Sequence, residues 1–443
     1  MLLNKFCFAA GLAAVPVLFL TASCATYNEA HREADLNFSK SSYNNALSVI
    51  ESKKKSLYPP KNAVLYRLDK GMLEHYAGLF EESSKDLQEA DELIERNFAK
   101  SITQAAASYI LNDNVKDYGG EEYENIYLNV FNSLNYYHKG DIEGALVEVR
   151  RAGEKITSLG DKYAKAIRKA RASNEHGASV KVSEKVNFND SALARYLGAV
   201  LYRAAGKEDD ARIDFKAIQT AFISSPNVYP FPCPDALIFK EGGDNPEINV
   251  PKGAARLNVV AFAGQSPYKE EESIVISLPV ISERGALNSF ARISLPKLVN
   301  RPSSVSGVTI SVNGSSFKLD MVEDLGLAAQ ETFKASYALT VLKSTMRSII
   351  KQTTSAIASD AIGEYNSNLA LITSLITSIF NTASEQADIR ISRYLPRYAY
   401  VGGVTLPPGE YDVKINFSGG EVQEKKVVLK AGALNLIEAF YLK

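Results

Sequence analysis

The chain has 443 residues, 46% hydrophobic and 23% charged, a globular composition with length for two or three domains. Fifty Lys and Arg against 51 Asp and Glu leave a formal net charge of −1, so no global attraction toward nucleic acid follows. Three cysteines and four histidines over this length exclude a disulfide scaffold and argue against a Cys/His metal site.

Met1 to Lys5 is a short n-region with one positive charge, and Phe6 to Leu20 is an apolar run. Such a core fits a secretory signal, because a membrane span needs roughly 20 apolar residues. The segment ends in Thr21-Ala22-Ser23-Cys24. This end resembles a bacterial lipobox, in which small residues admit the signal peptidase and the cysteine thiol takes the diacylglyceryl group. Thr21 stands where a leucine is usual and Leu20 lies one place earlier, a relaxed form familiar from spirochaetes. The expectation is a signal peptide over 1–23 and lipidation, with acyl chains such as palmitate, at Cys24. Each buried CH₂ of an acyl chain contributes about 0.8 kcal/mol, so three chains would hold the protein to a membrane. Cys233 is then the remaining thiol. It lies in Pro230-Phe231-Pro232-Cys233-Pro234 with no base nearby in sequence, and reads as a small apolar filler.

Residues 24–223 read as helical, with Leu, Ile, Tyr and Ala returning every three to four positions. Helix-turn-helix layouts run over Tyr66 to Ile94, Asn125 to Ile156 and Leu193 to Ile218, with a weaker one near Ala34. They turn at Gly78, Gly140 and Gly206. These resemble tetratricopeptide (TPR) repeats, and the resemblance implies a stacked superhelix with a concave groove for protein segments. Two inserts interrupt them. Asn112 to Glu124 is acidic and reads as a solvated turn. Asp161 to Val186 carries clustered basic residues and reads as a solvated face.

Residues 224–252 are rich in proline and glycine and read as an ordered linker. From 253 to 443 strand patterns dominate. They lie at Leu257 to Ala263, Ser273 to Leu278 and Phe290 to Leu295. Val308 to Val312 and Ser315 to Leu319 then flank an Asn313-Gly314 turn. Arg397 to Gly402, Gly409 to Phe417, Val422 to Leu429 and Asn435 to Leu442 complete the set. A helical insertion is expected at about 322–385, and the strands around it are expected to form a sandwich-like domain. Leu369 to Phe380 is strongly apolar yet too short to span a bilayer. The stripe Leu371, Leu375 and Ile379 is the candidate interaction surface. Burial against the Thr340 to Ile357 helix, insertion into a membrane and an oligomer contact all fit it.

Particular stretches carry a wider resemblance. They are Gly119 to Tyr123, Leu134-Asn135-Tyr136 leading into Gly140-Asp141, Ala145, Val147-Glu148 and Arg150-Arg151. Near the end come Val322-Glu323-Asp324-Leu325, Ala387-Asp388-Ile389-Arg390, Leu395-Pro396 and Leu406-Pro407-Pro408-Gly409-Glu410-Tyr411. Together they resemble an uncharacterised family of bacterial TPR-containing exported lipoproteins. The resemblance implies location and architecture, with no known activity.

No catalytic, cofactor or metal residue is expected. His31, His75, His138 and His176 show no metal-binding spacing, and no nucleophile elbow, P-loop or dinucleotide fingerprint occurs. Asp388 and Arg390 read as an orienting ion pair at the domain junction. The expected function is a non-enzymatic scaffold anchored in the cell envelope, on the periplasmic side of the outer membrane, with protein partners and no nucleic acid. The alternative is a structural subunit of an oligomeric envelope complex, touching membrane or neighbours through residues 366–380. A weaker alternative is an envelope hydrolase.

Overall fold

The computed structural model describes residues 27–103, 116–172, 186–282, 285–363 and 387–443. The described helices of the first half are α1 (Tyr27–Ser39), α2 (Tyr43–Ser52), α3 (Lys54–Leu57), α4 (Ala63–Tyr76), α5 (Phe80–Thr103), α6 (Glu122–His138), α7 (Ile142–Ala172), α8 (Ala192–Ala204) and α9 (Glu208–Ser224). The second half holds β1 (Ala255–Gln265), β2 (Tyr268–Ser282), β3 (Gly285–Val299), β4 (Val308–Val312), β5 (Ser315–Asp324) and α10 (Leu325–Gly363). It ends with β6 (Pro396–Leu406), β7 (Gly409–Phe417), β8 (Val422–Leu429) and β9 (Asn435–Tyr441).

The pairs α4–α5, α6–α7 and α8–α9 are antiparallel hairpins with one turn design. At each turn the glycine N–H bonds back three residues, as Gly140 does to Tyr137 O, and the following N–H bonds back five, as Asp141 does to Tyr136 O. Gly78, Gly140 and Gly206 have φ of +78°, +80° and +71°, the left-handed region that such caps require. A Cβ added at any of the three would meet nothing within 4 Å. The glycine therefore answers to backbone strain, not to crowding of the reversal.

Seven strands form one sheet in the order β8-β7-β4-β5-β6-β1-β9. β1 pairs antiparallel with β6 and parallel with β9. The two ends of this order come together. Gln423 Nε2 donates to Phe440 O at 2.7 Å, and Lys425 Nζ donates to Glu438 O. The sheet is thus nearly closed and barrel-like. Leu257, Val259 and Ala261 of β1 fill its interior with Ile310, Val413, Ile415 and Phe417. The intervening Val260 and Phe262 face outward and join one core with Leu65, Phe131 and Leu197 of the helices. β1 is buried on both faces, hence its nearly unbroken apolar run.

This architecture corrects the expectation of a TPR superhelix followed by a sandwich. The first helix of each hairpin lies against the sheet instead of lining an open groove. Tyr76 on α4 donates to Tyr394 O at 2.7 Å, Phe131 on α6 packs on Phe262 with ring centroids 5.0 Å apart, and Tyr196 on α8 accepts from Asn258 Nδ2 at 2.9 Å. Covering those apolar faces with strands releases more water than leaving a concave surface would. The strands in turn curl around a single interior cluster, so no second sheet faces the first among the described residues.

Two smaller expectations also change. Val322 to Asp324 end β5 and are not helical; Asp324 Oδ1 instead accepts from Leu327 N at 3.1 Å and caps α10. Within the Asn112 to Glu124 stretch, whose residues 112–115 lie outside the described residues, the part from Tyr118 is not a solvated turn, although Gly119 is exposed. Tyr118 and Glu124 are buried, and Glu121 with Glu124 forms a capping box that starts α6. β2 and β3 make a separate two-stranded ribbon, with α10 packed along both strands.

Candidate functional site

Polar residues at the seam between helices and sheet are the chain's most specific feature. α6 is sandwiched between neighbouring helices and strands, so its residues from Glu122 to Asn135 are buried on every side. A polar group in such a place needs a partner, since leaving one unsatisfied costs about 1–3 kcal/mol. The partners come from distant parts of the chain.

Glu323, at the irregular end of β5, is fully buried. Its carboxylate accepts from Tyr127 OH, from Tyr229 OH at 2.7 Å, from Ser191 Oγ at 2.9 Å and from Leu193 N at 3.0 Å. The last two belong to the first turn of α8, where N–H groups and the helix dipole favour an anion. Burial pushes the Glu323 carboxyl above its ordinary range against these donors. One side chain of the sheet thereby holds α6, α8 and the 225–252 segment.

Glu438 of β9 makes the second junction. His75 Nε2 lies 3.0 Å from Glu438 Oε2, and His138 Nε2 contacts Oε1. His75 Nδ1 is 2.7 Å from Asn135 Oδ1, whose amide nitrogen donates to Ser83 Oγ. Both His75 nitrogens therefore face side-chain oxygens. Burial alone would raise the Glu438 carboxyl; the charge of His75 and the hydrogen bonds from both histidines outweigh it and hold the group at about 2.

The third junction surrounds the start of α6. Glu124 is fully buried and accepts from Tyr118 OH at 2.8 Å, Glu121 N at 2.8 Å and Ser392 N. Burial, then the neighbouring Glu121 charge, raises it to about 8. Lys269, at the beginning of β2, pairs with Glu121 and donates to Arg390 O at 3.2 Å. Arg390 grips Asp388 with two nitrogens at 2.7 and 2.8 Å and reaches Asn62 Oδ1 at 3.0 Å. The Asp388 and Arg390 pair thus exists, and it ties the approach to β6 onto the helices. Asp69 nearby accepts from Ser392 Oγ and Arg393 N, each at 2.9 Å, and burial raises it to about 6. A cavity of about 260 Å³ opens beside this junction, between α5, α6, α7 and α10.

Cys233 is half-buried, its Sγ 3.9 Å from Pro234 O, and burial, then Asp235 and Asp320, push the thiol up to about 11. A thiol so rarely ionised at neutral pH is a poor nucleophile. Among the described residues no group of three or more His, Cys, Asp or Glu is disposed to hold a metal ion, and no helix is long and apolar enough to cross a membrane. Cys24, Leu371, Leu375, Ile379 and His176 lie outside the described residues.

Of the stretches that carry the family resemblance, Gly119 to Tyr123, Asn135, Glu323 and Asp388 with Arg390 all fall at these seams. Sequence reading missed Glu438 and Lys269. For Glu438 the one signal was a charged residue inside an otherwise apolar run, whereas Lys269 is followed by three glutamates and carried no signal. No family model, curated protein or solved structure matches the chain.

Proposed function

We propose that this protein is a lipid-anchored, non-catalytic scaffold of the bacterial cell envelope. The observation that carries the reading is the Thr21-Ala22-Ser23-Cys24 end of the apolar segment, followed at once by folded chain beginning with Tyr27. Three residues of extended chain reach about 10 Å, so an acylated Cys24 would hold the folded body directly at the bilayer surface. The charged seams support a rigid role. Their carboxylates are saturated by groups that fix helices to strands, which builds a stiff body for presenting a docking element.

A second reading, a subunit of an oligomeric envelope complex, is favoured by the ribbon β2–β3. Its strands pair only with each other among the described residues, and consecutive Ile274 and Val275 are 38% and 69% exposed. Neighbouring residues on a strand point to opposite faces, so apolar side chains emerge on both. Photo-crosslinking from position 275 in cells, with fractionation of the Cys24→Ala variant, tests both readings. Membrane retention of that variant after a salt wash removes the anchor. Crosslinks to the chain itself select the subunit, and crosslinks to other proteins select the scaffold.

A further inference from the structure

α7 runs past the start of α6 at the end of the molecule from which the chain leaves toward Cys24. α1, α4 and α6 point the same way. Phe38 near the end of α1 packs on Tyr76 at the end of α4, with ring centroids 5.9 Å apart, and His75 meets Asn135 near the end of α6 at 2.7 Å. Their starts therefore share the other end, where the His31 and Tyr58 rings lie 5.1 Å apart and Tyr118 N donates to Lys61 O at 2.7 Å. α7 is antiparallel to α6 and passes its first residue where Lys162 pairs with Glu122 at 2.5 Å. From there it continues to Ala172, about 15 Å farther.

This last part of α7 carries positive charge only. Lys162, Lys165, Arg168, Lys169 and Arg171 occur between Lys162 and Ala172 with no acidic residue among them, and Asp161 precedes the run. Tyr163 and Ile167 are buried. Lys165 and Arg168, one turn apart on the other side, are exposed and enter no ion pair among the described residues. Other lysines at this end are already paired, Lys100 with Asp117 and Lys269 with Glu121. Exposed helical cations without a counter-charge attract an anionic surface over a Debye length, roughly 8–10 Å. We propose that the outer face of the last turns of α7, at Lys165 and Arg168, rests on the anionic headgroups of the bilayer that holds Cys24. The proposal rests on the lipid-anchor reading. Cys24 lies within about 10 Å of Tyr27, so a bilayer plane at the anchor comes within reach of a helix that extends about 15 Å at the same end. Acyl chains retain the body without orienting it, and a second contact away from the anchor orients it.

The test uses the chain from residue 24 onward carrying Cys24→Ala, so that no acyl chain contributes. Its probes are vesicles of phosphatidylcholine alone and of an equal mixture of phosphatidylcholine and phosphatidylglycerol. Flotation should show binding to the mixed vesicles at low salt, none to phosphatidylcholine, and release as salt is raised. Lys165→Glu with Arg168→Glu should weaken binding at least about tenfold at an unchanged melting temperature. Should that variant fail to fold, Lys165→Gln with Arg168→Gln should still weaken binding severalfold. The matched reversal Lys426→Glu with Lys430→Glu, near Tyr137 at the opposite end, should leave binding within about twofold. Equal loss from both reversals overturns the proposal. So does equal binding to the two kinds of vesicle, no binding to the mixed vesicles, or tighter binding to a single-stranded oligonucleotide. Mass spectrometry of Cys24 in protein from cells reads the anchor by itself. An unmodified thiol removes the anchor, whereas an acylated one with no vesicle selectivity removes the α7 contact alone.

Discussion

His75 and Glu438, 363 positions apart in the chain, meet at 3.0 Å inside the core. The contact joins the first helical hairpin to the last strand, and His138 closes on the same carboxylate from α6. Glu438→Gln removes the charge that both rings face. It should destabilise the protein by about 3–5 kcal/mol, the usual cost of breaking a buried pair from one side. Urea unfolding of the variant checks this, and a loss under about 1 kcal/mol refutes it.

The same carboxylate sets an acid limit. Its folded value, about 2, lies below the ordinary 4.5, so its contribution is fully present above 4.5 and is lost as pH falls toward 2. Glu124 works in the opposite direction, with a folded value of about 8 against the ordinary 4.5. Between pH 4.5 and 8 the folded chain keeps a proton there that the unfolded chain has released, so stability falls as pH rises. Melting temperatures measured across that window should decline more steeply in the wild type than in Glu124→Gln, whatever the variant's absolute stability.

Glu323→Ala leaves the Tyr127, Tyr229, Ser191 and Leu193 donors without their buried acceptor. The expected cost is about 3–5 kcal/mol, felt first in α8 and α9. Hydrogen exchange should show these two helices losing protection ahead of β1. Uniform loss across the chain would mean that Glu323 does not anchor that hairpin.

The turn and helix glycines should separate strain from crowding. At Gly140, with φ of +80° and open space around its Cβ position, Ala should cost about 1–2 kcal/mol and Asn less. At Gly198 an added Cβ would lie 2.1 Å from Asp214 Oδ2, beside the Arg195–Asp214 ion pair. There Asn should cost more than Ala. Thermal melts of the four variants suffice, and the same ranking at both sites would contradict the distinction.

The elements were largely legible. Asn313 and Gly314, at φ of +49° and +70°, form the turn that their identities predict, and β7 and β8 begin and end where alternation places them. The helical hairpins were legible too, because Gly78, Gly140 and Gly206 recur with alanines at matching places. Their assembly was not. Hairpin periodicity is the same whether the inner face lines a groove or lies beneath a sheet, and the residues that decide the matter, Glu323 and Glu438, are acids whose partners lie far away in sequence. The acidic stretch at Glu121 to Glu124 misled for the same reason: charge signals solvent until Lys269 and Ser392 are known to sit against it.

β9 fills a position that no earlier segment takes, beside β1 and beneath α4 and α6. It follows all of these partners in the chain, so it leaves a ribosome after them and, in an exported chain, crosses the membrane after them. Until it arrives, Tyr76, Phe262 and the His75 ring lack their neighbour Phe440, and α4 and α6 present apolar surface to whatever they meet. Completion of the first half is thereby deferred until β9 has been made. A chain cut short before Asn435 would remain a client for holding chaperones and proteases instead of becoming a smaller folded protein.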